Sequence, residues 1–325
     1  MACLRVAACI SFWLFNNLTM KKILTGLLIL ICGAARAQAP LLTDGLMMPE
    51  KTLGAAGFYT NDAWKNYWEG GLKRDNQNIG TITTQSTTVA AMYGLKEKIT
   101  LIASAPYMWT NASSGTLHGM KGWQDIMIAA KYNYFNKEWG QHNIRLFVLG
   151  SYSMPVTNYT PDFLPLSIGL GSKTLSGRMT ATYTLKKTWV FNASGAYTWR
   201  SNIFLDRPSY YTNGQQYYTN EVQMFDQIDF IVRAGYHRER WHGELFYTQQ
   251  NTLGGGDIRR QDMPFASNRM NLQKLGFSLW GRVPYVPHLA ARVWGSYVVN
   301  GRNVGQSTTI TAGLIYTFQF SQTQQ

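Results

Sequence analysis

The chain has 325 residues, of which 30 are Lys or Arg and 17 Asp or Glu, giving a formal net charge of +13 and a charged fraction of 14%. A mean hydropathy of −0.20 excludes a polytopic helical membrane protein. Charge this sparse against the roughly 25% of soluble domains, combined with 14% aromatic residues, suits one β-rich domain facing lipid on one side and water on the other.

Residues 1–19 carry a first apolar patch ahead of a complete export signal that runs from Met20: Lys21 and Lys22, an apolar stretch over 23–32, then Ala35-Arg36-Ala37. This layout puts the true start at Met20 and cleavage between Ala37 and Gln38. Ile31 occupies the place where a lipoprotein would need a small residue before Cys32. Cys3, Cys9 and Cys32 all precede the cut, so the mature chain is expected to hold no thiol, disulfide or cysteine-bound metal. Its remaining basic residues are scattered singly, a distribution that fits lipid head groups or an anionic solute and not nucleic acid. Residues 38–50 read as a periplasmic N-terminal segment, 51–320 as a barrel and 321–325 as a tail.

From residue 51 onward the chain repeats one pattern, about ten residues of alternating apolar and polar character followed by a turn. The predicted strands are 51–61, 82–94, 98–110, 125–135, 143–154, 174–185, 188–200, 225–237, 240–249, 271–282, 289–300 and 308–320. In the last of them Ile310, Ala312, Leu314, Tyr316 and Phe318 oppose Thr309, Thr311, Gly313 and Thr317. Short links alternate with long ones rich in Asn, Gly, Asp and Pro, as the periplasmic turns and extracellular loops of a membrane barrel do. The expected fold is an all-β, antiparallel, up-and-down transmembrane barrel of about twelve strands, within ten to fourteen, with both termini in the periplasm. A soluble sandwich would need no aromatics at its strand ends, whereas Trp109, Tyr134, Trp189, Trp199 and Trp241 all collect there. Lipid exposure further requires that no strand edge stay unpaired, which closure alone provides.

Within the second to fourth strands, the stretch 91–107 (AMYGLKEKITLIASAPY) resembles the YGL…PY hairpin of the meta-pathway phenol-degradation family of outer-membrane β-barrel transporters. Residues 122–132 (GWQDIMIAAKY) resemble the same family's GxGD…KY strand entry, with Trp123 and Gln124 departing from its small residue and glycine. The resemblance implies a channel or transporter in the outer membrane of a Gram-negative bacterium, with small and possibly aromatic or otherwise hydrophobic solutes. Read physically, the motif is structural: Gly94 permits a tight turn, Lys96, Glu97 and Lys98 hydrate it, and Pro106 near a strand end needs no ladder partner. The terminal Thr317-Phe318-Gln319-Phe320 resembles the strand signal read by the barrel-assembly machinery, although five residues follow it.

With the aromatic-capped face toward lipid, the opposite face presents Lys131, Arg145, Arg178, Asp229, Arg233, Glu244, Lys274, Arg282 and Arg292 to the lumen. Asp229, Arg233, Glu244 and Lys274 fall on three successive strands and are expected to pair across them, leaving surplus arginines to favour anions or polar aromatic acids. The bland alternative is that these charges pair and plug a narrow barrel. Two other functions stay open. One is a lipid-modifying hydrolase, which would need a Ser, a His and an acid in contact, yet the histidines fall in loops or beside short turns, and His242 with Glu244 reads as a solvated surface pair. The other is a structural or surface-binding barrel, using loop residues such as Tyr210, Tyr211, Tyr217, Tyr218, Phe163 and Pro165, which could turn inward as a constriction or outward as a contact surface. The sequence therefore points to a channel that is no enzyme and needs no cofactor or metal, whose partners are outer-membrane lipid and lipopolysaccharide, the assembly machinery and a small solute.

Overall fold

The computed structural model describes residues 42–259 and 263–320. The signal, its cut at Ala37 and Gln38, the choice of start codon and the 321–325 tail lie outside the described residues. Twelve long strands form the wall: β1 (Thr52–Trp64), β2 (Ile82–Lys96), β3 (Ile99–Ala112), β4 (Asp125–Trp139), β5 (His142–Pro155), β6 (Thr174–Leu185), β7 (Trp189–Arg200), β8 (Gln227–His237), β9 (Trp241–Thr252), β10 (Asn271–Arg282), β11 (Leu289–Arg302) and β12 (Thr308–Gln319). Each pairs antiparallel with its chain neighbours, and β1 pairs with both β2 and β12, which closes the sheet. No backbone edge is left for lipid, in which an unpaired amide has no water to bond.

Side-chain alternation follows from the period of two. In β4, Ile128, Tyr132 and Tyr134 are exposed on the outside while Ala129 and Lys131 are buried within; in β12, Ile310, Leu314 and Phe318 point out and Thr311, Ile315 and Thr317 point in. The exterior is thus an apolar band with aromatic rings toward both ends. At the short-turn end Trp189 meets Tyr236 edge-on at 5.0 Å and Trp241 follows at 5.8 Å from Tyr236. At the opposite end Gln85 bridges two girdle rings, donating to the Tyr59 hydroxyl at 2.7 Å and accepting from the Trp109 indole at 2.5 Å.

Several strand ends differ from the expected ones by up to four residues, and in β4 and β3 the reason is local. β4 runs four residues further, to Trp139, because Gly140, at φ 57°, makes the turn instead of Asn136, and an irregularity between Asn133 and Phe135 absorbs the register change. β3 meets β4 only over residues 99–104, and beyond a one-residue offset at Gln124 it meets the short strand Lys121–Trp123. Pro106 sits in that gap, where its missing N–H costs no ladder bond, and its carbonyl accepts from Gln124 N at 2.9 Å. The long loops carry small hairpins of their own, Asn66–Glu69 with Leu72–Asp75 and Tyr210–Thr212 with Gln215–Tyr217.

Candidate functional site: the barrel interior

Inside the barrel, on the short-turn side, lies a segment expected to sit in the periplasm. Residues 42–50 turn into the lumen and touch strands all around its circumference. Met48, fully buried, donates its N–H to Thr100 Oγ1 of β3 at 3.0 Å. Lys131 of β4 donates to the Asp44 carbonyl at 2.5 Å and lies 3.2 Å from its Oδ1. Arg292 of β11 reaches Asp44 Oδ2 at 3.5 Å, and Arg233 of β8 donates to Thr43 Oγ1 at 2.6 Å. A Cβ on Gly45 would overlap Thr182 of β6, and one on Gly94 of β2 would overlap the Pro49 carbonyl. Gly94 is therefore not the turn residue its sequence suggests. It clears the path by which the N-terminal segment enters.

Asp44 is 2% exposed and Lys131 is 0% exposed. Charges removed this far from water persist only when matched, so the acid fixes the segment by bringing cations from β4 and β11 to one point. The nine residues expected in the lumen divide into groups around it. Lys131, Arg233 and Arg292 converge on the segment; Arg145 lies over the Phe147 ring at 5.7 Å. Arg178 grips Asp229 with two bonds of 2.7 Å. Arg233 Nη1 stands 3.3 Å from Glu244 Oε2. Lys274, which follows a register shift after Gln273, makes no ion pair among the described residues, and Asp229 is taken by Arg178 of β6, so of the four-member network expected across β8, β9 and β10 only the Arg233–Glu244 pair forms. Arg282 ends β10 at the short-turn rim and is exposed.

His242 is not solvated. It is buried, stacked face to face on His237 at 4.2 Å and packed on Trp280 at 4.7 Å, while Glu244 bonds His237 Nε2 at 2.8 Å. The alternation of β9 explains this: residues 242, 244 and 246 point inward together, where His237 of β8 and Trp280 of β10 meet them.

Beside the segment, on the inner face of β1–β4, β11 and β12, lies an apolar patch. A cavity of about 210 Å³ is walled by Phe58, Met92, Ile102, Met127, Trp294 and Ile315, with Leu42 of the N-terminal segment on its border. Thr60, Thr88 and Ser104 add hydroxyls, and Arg292 contributes the one charge in its lining. Phe58 and Trp294 meet edge-to-face at 5.2 Å. None of these apolar residues stood out in the sequence, because a buried lumen ring and a lipid-facing ring look alike until strand register fixes which face is which. Asp44 had one legible signal: a lone acid amid Leu41, Leu42, Leu46, Met47 and Met48 is odd for a solvated segment.

At the long-loop end, Ile203, Leu205, Tyr210, Val222, Met224, Phe265 and Ala266 form a second apolar core, with Leu164 and Leu170 against it. The 156–173 loop bends inward, where the Leu166 carbonyl accepts from Thr110 Oγ1 of β3 at 2.6 Å. Tyr210 is buried there, while Tyr218 is the most open of the four tyrosines at 210, 211, 217 and 218.

The model of the family described as "Putative MetA-pathway of phenol degradation" matches residues 66–266, more than half of the chain. The chain belongs to that family. Among solved structures, this family member is similar to the COG4313 outer membrane channel from Pseudomonas putida F1, with 13% identity over 86% of this chain and all of that one, at a TM-score of 0.68. At that identity the likeness is one of fold. The translocator domain of the autotransporter NalP from Neisseria meningitidis (9% identity, 82% of this chain and 88% of that one, TM-score 0.42) and the CymD monoaromatic hydrocarbon channel (10%, 85% and 90%, 0.40) share only a general barrel outline. No curated protein sequence matches the chain.

Proposed function

We propose that this protein is an outer-membrane channel for small molecules, and that compact aromatic or otherwise hydrophobic compounds are its solutes. The observation that carries this reading is the apolar cavity inside a charged barrel: about 210 Å³, walled by Phe58, Trp294 and aliphatic side chains on the inner face of β1–β4, β11 and β12, with Leu42 of the N-terminal segment on its border. A barrel serving only as a scaffold has no use for an interior void, since unfilled apolar space forfeits packing energy. The volume is below the roughly 300–1,000 Å³ of sites for drug-sized ligands and suits a single ring. Membership in the phenol-degradation family, and the likeness in fold to the outer membrane channel of Pseudomonas putida, support the same reading.

Passage needs the N-terminal segment to move, because it occupies the lumen on the periplasmic side. Single-channel recording of the refolded protein in a planar bilayer tests this. The expected result is conductance in brief steps that toluene or phenol blocks. A folded barrel that never conducts, and that does not speed entry of either compound into vesicles, would overturn the reading.

A further inference from the structure

We propose that the short-turn rim running from β4 to β10 is a binding site for an anionic phospholipid of the membrane's inner leaflet, whose phosphate is held by basic side chains just beyond the aromatic girdle. The inference needs only the placement of the barrel in the outer membrane and is independent of what passes through the lumen.

Three observations converge on this rim. First, Lys137, Lys186, Lys187, Arg238, Arg240 and Arg282 stand on four successive short turns, all of them exposed, with only Glu138 and Glu239 as acids in the same arc. Backbone bonds join these turns into one surface: Lys186 N donates to the Gln141 carbonyl at 2.7 Å, His237 N to the Thr188 carbonyl at 2.7 Å, and Arg282 N to the Arg240 carbonyl at 3.0 Å. Among the described residues none of these cations makes an ion pair, whereas at the long-loop end Lys65, Arg207 and Arg302 are each met by an aspartate.

Second, the turn that carries two of the cations is built against its own backbone preference. Thr188 N donates to the Leu185 carbonyl at 3.1 Å across Lys186 and Lys187, which stand at φ 53° and 57°. Such a turn needs the left-handed conformation at both central positions, which Asn-Gly adopts readily and two lysines do not. Folding alone gives no reason for this choice, and a partner for the two charges does. Third, the rings beside the cations face lipid. Trp139, Trp189 and Trp241 are exposed and follow Lys137, Lys187 and Arg240 within two residues, and Arg238 lies over the Tyr236 ring at 5.2 Å. Indole rings settle at the depth of the lipid head groups, so the neighbouring cations reach the phosphate layer. The inner leaflet of an outer membrane is phospholipid, and a surplus of cations there selects phosphatidylglycerol over zwitterionic phosphatidylethanolamine.

Native mass spectrometry of the refolded full barrel, offered phosphatidylglycerol and phosphatidylethanolamine in equal amounts, tests the proposal. Phosphatidylglycerol is expected to be retained severalfold over its competitor. Lys186→Asn with Lys187→Gly relaxes the turn while removing both charges, and is expected to lower that preference by roughly fivefold for each lysine lost, the worth of one basic residue at an anionic surface. Lys121→Asn, at the long-loop end, is expected to leave it unchanged. Arg240→Gln, on the adjacent turn, decides should the double variant not refold. Equal retention of the two lipids overturns the proposal. A preference that survives the rim variants, or that falls as far in Lys121→Asn, overturns the site, and phosphatidylglycerol displaced by the same concentration of inorganic phosphate overturns the lipid as its occupant.

Discussion

Asn303 lies in the compact link between β11 and β12, at φ 56° and 3% exposed, and its amide ties two other loops to its own. Its Oδ1 accepts from Gly70 N at 2.8 Å and Ile258 N at 3.0 Å, and its Nδ2 donates to Asp257 Oδ1 at 2.8 Å and to the Arg269 carbonyl at 2.7 Å. Asn tolerates the left-handed backbone there better than most side chains, and no other short side chain both donates and accepts twice. Asn303→Ala strands buried backbone groups of two loops and is expected to cost about 2–4 kcal/mol of local stability, read as faster cleavage in the 65–81 and 253–270 loops by added protease while the barrel stays intact. In the sequence, Asn303 is one of many loop asparagines. Its role depends on three loops far apart in the chain meeting at one point.

At the scale of elements, the N-terminal segment and the extracellular loops are held differently and should fail differently. The segment depends on shape as well as charge: Gly94 of β2 leaves room for the Met48 and Pro49 backbone. Gly94→Ala is expected to push the segment from its track and to raise mean conductance severalfold with the barrel still folded, measured in planar bilayers. Unchanged conductance would mean that the segment does not limit passage. The 253–270 loop is tied to the end of β11 by Arg302, whose guanidinium bonds Asp257 at 2.8 and 2.5 Å. The Arg302 hydrogen bond, helped by Asn303, holds the Asp257 carboxyl below its ordinary range. A depressed carboxyl contributes stability above its unfolded pKa of about 3.9 and loses it as pH falls through the lower folded value. The tie therefore persists through mild acid and releases only below the usual carboxylate range, and since both side chains are substantially exposed the effect is small. Hydrogen exchange of the loop at stepped pH would show protection steady down to that range and falling beneath it.

For the whole molecule the decisive contrast is between the two faces of one wall. Arg233 and Leu245 lie on adjacent strands one register step apart, yet Arg233 points into the lumen and Leu245, 70% exposed, points out among the apolar residues of β8, β9 and β10. Leu245→Arg puts a cation in the hydrocarbon layer at a cost of about 2–4 kcal/mol near the midplane, and is expected to reduce the folded, heat-modifiable form recovered from outer membranes. A lumen change of the same size, such as Ser194→Arg, should leave assembly less affected. Equal losses from both would contradict the assignment of faces.

The period of two, the alternation of short and long links and the aromatic strand ends were enough to specify a closed membrane barrel of about twelve strands, because these are local properties imposed by lipid on every strand. Strand ends moved where a single glycine or bulge outweighed the pattern, as at Gly140. The interior was another matter. That Asp44 should reach Lys131 and Arg292, that Gly94 should make way for Pro49, that two histidines should stack and that Phe58 should meet Trp294 all depend on which strands face each other across the closed lumen. Closure brings residues hundreds of positions apart within a few ångströms, and no local rule carries that information. The tertiary structure alone decided what occupies the lumen.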